Sequence, residues 1–213
     1  MKENESPKRD IILNAAIRVF AEKGYYSCRT LDISGEAGVA YGSLYQYFKS
    51  KEDILLSIYR ENWDFLIKRM EKINQTVVGP TEKLLAVFDF IFRSYQRNPD
   101  LMKVIIMEVP RLRQIYTPEN WESYNRFLKG VADIFREGQK KGLFRRDFSP
   151  MVATFVIYGA VDTTIRQYVY NPDFNHEEFP VEKANNQIMG LLEQGFLCKE
   201  PARKGIKGKK TGG

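Results

Sequence analysis

The sequence predicts an all-α protein, and three observations carry that expectation. Apolar residues recur at helical spacing over long stretches, as in Ile11, Ile12, Ala15, Ala16, Val19 and Phe20, and in Ile54, Leu55, Ile58, Tyr59, Trp63, Leu66, Ile67, Met70 and Ile73. Capping residues stand directly before proline at Ser6-Pro7, Asn98-Pro99, Thr117-Pro118 and Ser149-Pro150, where a missing N–H costs a helix nothing. No segment keeps up apolar–polar alternation between turn signals, so no sheet is expected.

In chain order, Pro7 opens a first helix that Lys23-Gly24 closes, and Tyr25-Tyr26-Ser27-Cys28 bridges to the next. Thr30 is the expected N-cap of a short helix carrying Leu31, Ile33 and Ala37. Gly38 ends it, because glycine accepts the positive φ of a helix stop, and Val39 plugs the turn. A second short helix is expected over Tyr41 to Phe48. Leu44 and Phe48 share its apolar face, while Tyr41, Gly42, Ser43, Tyr45 and Tyr47 face elsewhere. Core packing explains so many hydroxyls on so short a helix poorly. A recognition helix in a DNA major groove, with polar tips on bases and phosphates, explains them well.

Ser50 then caps a long helix, with Asp53 in the position of a capping-box acid. It runs to the break at Gly79-Pro80, a rod of about 35 Å that joins a head to a separate body. Body helices are expected near 80–97, 99–115, 118–141, 149–170 and 181–198. Stripes on the last two, Val152, Phe155, Val156, Gly159, Ala160, Thr163 and Thr164, then Val181, Ala184, Ile188, Leu191, Leu192 and Gly195, suit close helix packing.

Ala37-Gly38-Val39, Gly42-Ser43-Leu44-Tyr45-Gln46-Tyr47-Phe48 and Lys49-Ser50-Lys51-Glu52 resemble the A-G-V, G-x-x-Y-x-Y-F and K-x-K-E pattern of the DNA-binding domain of the tetracycline-repressor (TetR) family of bacterial transcription regulators. Ser34-Gly35 departs from it, since a mid-helix glycine costs about 1 kcal/mol relative to alanine. The resemblance implies a helix-turn-helix domain over residues 1–50, an effector-binding and dimerisation domain over 51–198, and a basic tail over 199–213. It makes Tyr41, Gly42, Ser43 and Tyr45 the expected base and near-base contacts. Thr30, Tyr47 and Lys51 are expected on phosphates, and Arg29 in either role. Lys51 lies in the first turn of the long helix, where helix-end N–H groups and a cation together hold a phosphate. Residues 138 to 150, GQKKGLFRRDFSP, resemble a G-x-x-x-G-x-[FI]-R-x-D linker of the same family. In that family the last two helices pair with their two-fold mates; the alternative is that both stripes face only their own core.

The family's bodies hold small molecules. The expected ligand residues here are Phe92, Tyr95, Met107, Tyr124, Phe127, Phe155 and Tyr158, with the polar pair Asp162 and Arg166 at i, i+4 spacing. Each large apolar residue alone reads more readily as core than as ligand wall, and the pair as a surface ion pair. Gly159-Ala160-Val161-Asp162-Thr163-Thr164 resembles a segment of regulators of fatty-acid degradation that sense acyl-CoA, which implies a long-chain acyl-CoA effector.

Bulk composition narrows the remaining classes. The net charge is +6, but the last fifteen residues carry six Lys/Arg against one Glu, and the first 52 carry eight basic against seven acidic. Charge alone is therefore a weak sign of nucleic acid. One histidine, His176, and two distant cysteines, Cys28 and Cys198, build no acid–base constellation, disulfide framework or metal site. No enzyme activity, cofactor or metal is expected. No run approaches a membrane span, and a cytoplasmic protein is expected. Expected partners are a double-stranded DNA operator, a small-molecule effector and a second copy. The alternative is a helical interaction module or lipid-binding protein without sequence-specific DNA binding.

Overall fold

The computed structural model describes residues 7–197; the Ser6 cap, Cys198 and the basic tail lie outside them. Among the described residues there is no β-strand, only an isolated antiparallel bridge between Phe144 and Leu197. No helix among them is long and apolar enough to cross a membrane.

The head is built from α1 (Pro7–Lys23), α2 (Thr30–Glu36) and α3 (Tyr41–Leu44). α1 buries Ile12, Ala15, Ala16, Val19 and Phe20 as its periodicity predicts, while Ile11 remains half exposed. The start of α2 differs from expectation. Its N-cap is Arg29, whose extended backbone lets its own N–H donate to Asp32 Oδ2 at 2.6 Å; the acid three residues on makes the cap, and the Thr30 hydroxyl is left for other partners. α2 ends as predicted. Gly38 has φ 64, its N–H donates to the Gly35 carbonyl, and Val39 N–H reaches back to the Ser34 carbonyl at 3.0 Å, a Schellman closure. The second helix is shorter than expected. α3 stops at Leu44, and the chain continues to Phe48 through hydrogen-bonded turns, Gln46 N to Ser43 O and Tyr47 N to Leu44 O. Leu44 and Phe48 are buried in the head core.

α4 (Lys51–Thr76) has 26 residues, about 39 Å at ~1.5 Å per residue. The Ser50 side chain accepts from Asp53 N, and Asp53 in turn accepts from Lys49 N at 2.9 Å. The body comprises α5 (Pro80–Arg97), α6 (Pro99–Lys103), α7 (Pro118–Lys140), α8 (Pro150–Tyr170) and α9 (Val181–Phe196). α7 packs between α4 and α8. Of the proline starts, Asn98 caps with its side chain, bonding Leu101 N at 3.0 Å, whereas Thr117 and Ser149 make no side-chain cap. The continuous helix expected over 99–115 is absent. α6 ends at Lys103 and gives way to a π turn over Val104–Glu108, then to 3₁₀ turns over Val109–Arg111 and Arg113–Tyr116. Pro110 explains the break, since it supplies no N–H and its ring clashes with the preceding turn.

The 138–150 linker is a tight turn closed by an aromatic ring. Gly142 turns the chain with φ 73, and Phe144 folds back so that its ring lies where a side chain on Gly138 would be, 2.1 Å from an added Cβ. Phe144 is buried against Phe135, and Arg145 donates twice to Asp147. Because that ring cannot move away, Gly138→Ala is expected to destabilise the fold by about 1–3 kcal/mol, read as a lowered denaturation midpoint with an unchanged denaturant slope. The outer stripe of α8 and α9 stays exposed in the single chain, at Val152 54%, Phe155 53%, Val156 54% and Leu191 72%.

Candidate DNA-binding surface and effector cavity

The head presents the expected hydroxyls together. Tyr41 and Tyr45 are 47% and 45% exposed, one helical turn apart, with rings edge-to-face at 5.3 Å. Their hydroxyls lie 2.9 Å apart, and Thr30 Oγ1 completes a triangle at 3.3 Å and 3.1 Å. Hydrogen bonds from Thr30 and then Tyr45 hold the Tyr41 hydroxyl below its ordinary pKa. Gly42 is exposed, with open space where a Cβ would be, and Ser43 sits half-buried beside it. Arg29 is exposed. Thr30, Tyr41 and Tyr45 are brought together, whereas Gly42 and Ser43 follow round the helix from Tyr41. Tyr47 differs, being half-buried against the head core.

Lys51 departs most from the sequence expectation. Its ammonium donates to the Tyr25 carbonyl at 2.5 Å and the Cys28 carbonyl at 2.7 Å, over the Tyr25 ring at 4.6 Å. At the α4 N-terminus Ser50 already takes the Asp53 N–H, and the Asp53 carboxylate in the first turn bonds the Lys49 N–H. Lys51 thus clamps the α1–α2 bridge, with one N–H still available. Cys28, beneath it, is buried with its thiol on the Tyr25 carbonyl, and burial pushes its pKa up, as suits a packing residue.

The body holds a cavity of about 270 Å³ between α4, the π and 3₁₀ turns, α7 and α8. Of the nine expected ligand residues, Tyr124, Tyr158, Asp162 and Arg166 line it. Phe127 lies one layer behind, its ring on Trp63 and Tyr158. Phe92 is fully buried core, Tyr95 turns its hydroxyl to the Tyr168 carbonyl, and Met107 packs on the core; none of the three lines the cavity. Phe155 lies on the exposed α8 stripe, at a separate groove of about 680 Å³ with Leu128, Lys129, Arg136 and Met151. Periodicity and residue size report which face of a helix is apolar, and do not say whether that face meets a neighbour or a hollow.

Sequence reasoning missed much of the wall. Both tryptophans of the chain, Trp63 and Trp121, line it, with Tyr59, Tyr116, Val109 and Pro110. The available signal was the tryptophan count: two large rings in a chain of this size, one within a helix stripe and one in a first turn. The rings interlock edge-to-face, Trp63 on Tyr124 at 5.2 Å and Trp121 on Tyr124 at 5.0 Å. At the polar edge, Arg166 Nε donates to Asp162 Oδ2 at 2.6 Å, and Nη1 reaches the Ile106 carbonyl at 3.5 Å. The Asp162 hydrogen bond raises the Arg166 pKa against the opposing effect of burial, so the guanidinium stays charged. Burial, with Asp162 adding to it, pushes the Tyr158 hydroxyl far up, so it stays neutral.

A helix-turn-helix head carried on a helical body with an aromatic cavity is the plan of a DNA-binding regulator that answers to a small molecule. The profile of bacterial regulatory proteins of the tetR family matches residues 12–58, and that of the tetracyclin repressor-like C-terminal domain matches residues 80–167. The chain is 32% identical to the fatty acid metabolism regulator protein of Bacillus subtilis over 91% of this chain and 98% of that one. It is 30% identical to the HTH-type transcriptional repressor KstR2 of Mycolicibacterium smegmatis over 76% and 79% of the two. Among solved structures, FadR from Bacillus subtilis in complex with stearoyl-CoA superposes with a TM-score of 0.78 at 29% identity, covering 87% of this chain and 98% of that one. The chain belongs to the TetR family of transcription regulators.

Proposed function

We propose that this protein is a homodimeric repressor that releases a palindromic operator when a long-chain acyl-CoA enters its body. Residues 1–50 serve as the DNA-binding unit and 51–198 as the effector and dimerisation unit. The observation that carries the effector assignment is the Arg166–Asp162 pair at the edge of an aromatic-walled cavity. An apolar hollow with a charged guanidinium at one side fits an amphiphile with an anionic head. The stearoyl-CoA bound by the Bacillus subtilis relative supports the same class. At about 270 Å³ the cavity falls just below the ~300–1,000 Å³ of ligand sites. Trp121 and Tyr124 border both it and the α7–α8 groove, so movement of the partly exposed Trp121 ring would join the two hollows for a long chain.

Because both tryptophans line the cavity, intrinsic fluorescence reads occupancy directly. Stearoyl-CoA is expected to change the emission and saturate at one ligand per chain. If stearoyl-CoA left it unchanged while an aromatic acid or a lipophilic cation altered it, the effector would be reassigned to that class.

The head assignments make a separate prediction. Tyr41→Ala and Ser43→Ala should change the base preference recovered from random duplexes. Arg29→Ala, if it meets phosphate alone, should weaken every duplex and lower the salt slope by about one. Unchanged preference in both Tyr41→Ala and Ser43→Ala would remove them from the base-reading set.

A further inference from the structure

Glu108 is a buried carboxylate, 6% exposed, on the last residue of the π turn. Its Oε2 accepts the backbone N–H of Tyr25 at 3.1 Å, eighty-three residues away in the bridge between α1 and α2. Arg111 lies beside it at 3.5 Å, and the Tyr26 hydroxyl donates to the Arg111 carbonyl at 3.2 Å. From the other side Lys51 holds the carbonyls of Tyr25 and Cys28. Four residues of the 104–111 segment, Ile105, Ile106, Val109 and Pro110, line the effector cavity. One short stretch of chain is thus a wall of the cavity on one side and the anchor of the head on the other.

We infer that Glu108 is the positioning residue through which the cavity governs the DNA-binding head. This rests on the reading that an effector occupies that cavity. A ligand that pushes on Ile105, Ile106 or Val109, or draws Arg166 from the Ile106 carbonyl, displaces a π turn whose hydrogen bonds are already irregular. The buried carboxylate keeps the Tyr25 N–H with it, because parting from that donor would leave a charge poorly satisfied inside the protein. The displaced bridge is continuous with Arg29 and Thr30, so α2 and α3 turn with it. Gly24, at φ 79, lets the chain bend next to that contact.

The test uses the full-length protein and the variants Glu108→Ala, Glu108→Gln and Tyr26→Phe, with stearoyl-CoA as probe and an operator selected from random duplexes. Three quantities are measured: stearoyl-CoA affinity by tryptophan fluorescence, operator Kd with and without saturating stearoyl-CoA, and hydrogen exchange at residues 24–28. Glu108→Ala should keep stearoyl-CoA affinity within about twofold, while the ratio of the two operator Kd values falls about tenfold from its wild-type value. The Tyr25 amide should exchange faster in Glu108→Ala, and should stay protected in wild type with stearoyl-CoA bound, because the carboxylate carries that N–H with it. Glu108→Gln, whose amide oxygen still accepts, should restore most of the coupling, and Tyr26→Phe should lose part. An unchanged Kd ratio in Glu108→Ala would overturn the inference. If stearoyl-CoA does not release the wild type, the effector reading fails by itself, and the ligand-free arms still decide the head contact. Faster Tyr25 exchange with weakened operator binding in Glu108→Ala supports it, and wild-type values for both overturn it.

Discussion

Leu191→Glu and Phe155→Glu are each expected to convert the protein to monomers that no longer hold the operator. Both side chains stand on the apolar stripe that α8 and α9 leave exposed in the single chain, so neither change disturbs the protomer's own core. In a two-fold dimer the same stripe meets its copy, and every substitution enters twice. Burying an unpaired carboxylate costs several kcal/mol. At about 3 kcal/mol per copy, dimer affinity falls about 10⁴-fold. One head then captures only half of a palindrome. Sedimentation at micromolar concentration reads the outcome, and a variant that remained dimeric would move the interface elsewhere. Phe155, expected from the sequence as a ligand residue, stands on this exposed stripe outside the aromatic cavity, and its ring borders the α7–α8 groove.

Arg166→Ala should separate acyl-CoA from its neutral counterpart. A hydrogen bond to a charged group contributes about 1.5–3 kcal/mol, so the variant should lose about tenfold to a hundredfold in affinity for lauroyl-CoA. The N-acetylcysteamine thioester of lauric acid, which has the same chain and no phosphate, should change by no more than about twofold. Removing Arg166 also strips Asp162 of its partner, and the bare carboxylate repels the anionic ligand alone, so the comparison is made in an Asp162→Asn background. Hydrogen bonding to Asp162 raises the pKa of an already strongly basic group, so the guanidinium does not titrate in any ordinary assay and the discrimination should persist across neutral pH. Equal losses for both ligands would reduce Arg166 to a structural part of the wall.

The head was legible in the sequence because its features are local. Gly38 can take a positive φ, Val39 follows it into the turn, and Leu44 and Phe48 bury one turn apart. The N-cap was misassigned at Thr30 because two local solutions compete there; Asp32 decides it by accepting the Arg29 N–H, which frees the threonine hydroxyl for Tyr41 and Tyr45. The body was legible only as helices. Val104 to Met107 reads as helix interior, and a π turn replaces it ahead of Pro110, with the cavity on one side and Tyr25 of the head on the other. Lys51 shows the same limit. A lysine at a helix start beside a recognition helix reads as a phosphate contact, and only the fold brings the Tyr25 and Cys28 carbonyls to its ammonium. Cavity walls are harder still, since Phe92 and Tyr158 look alike in sequence and differ in what faces them.

The most direct measurement is operator affinity across an acyl-CoA series, taken beside calorimetric binding of the same ligands to the free protein. Affinity for the free protein should rise by at most about 0.8 kcal/mol per added CH₂ until the hollow is filled. Operator Kd should rise in step, because a ligand shifts the equilibrium only as far as it prefers the DNA-incompetent state. A series in which stearoyl-CoA saturates the protein and operator Kd stays at its ligand-free value would contradict the account.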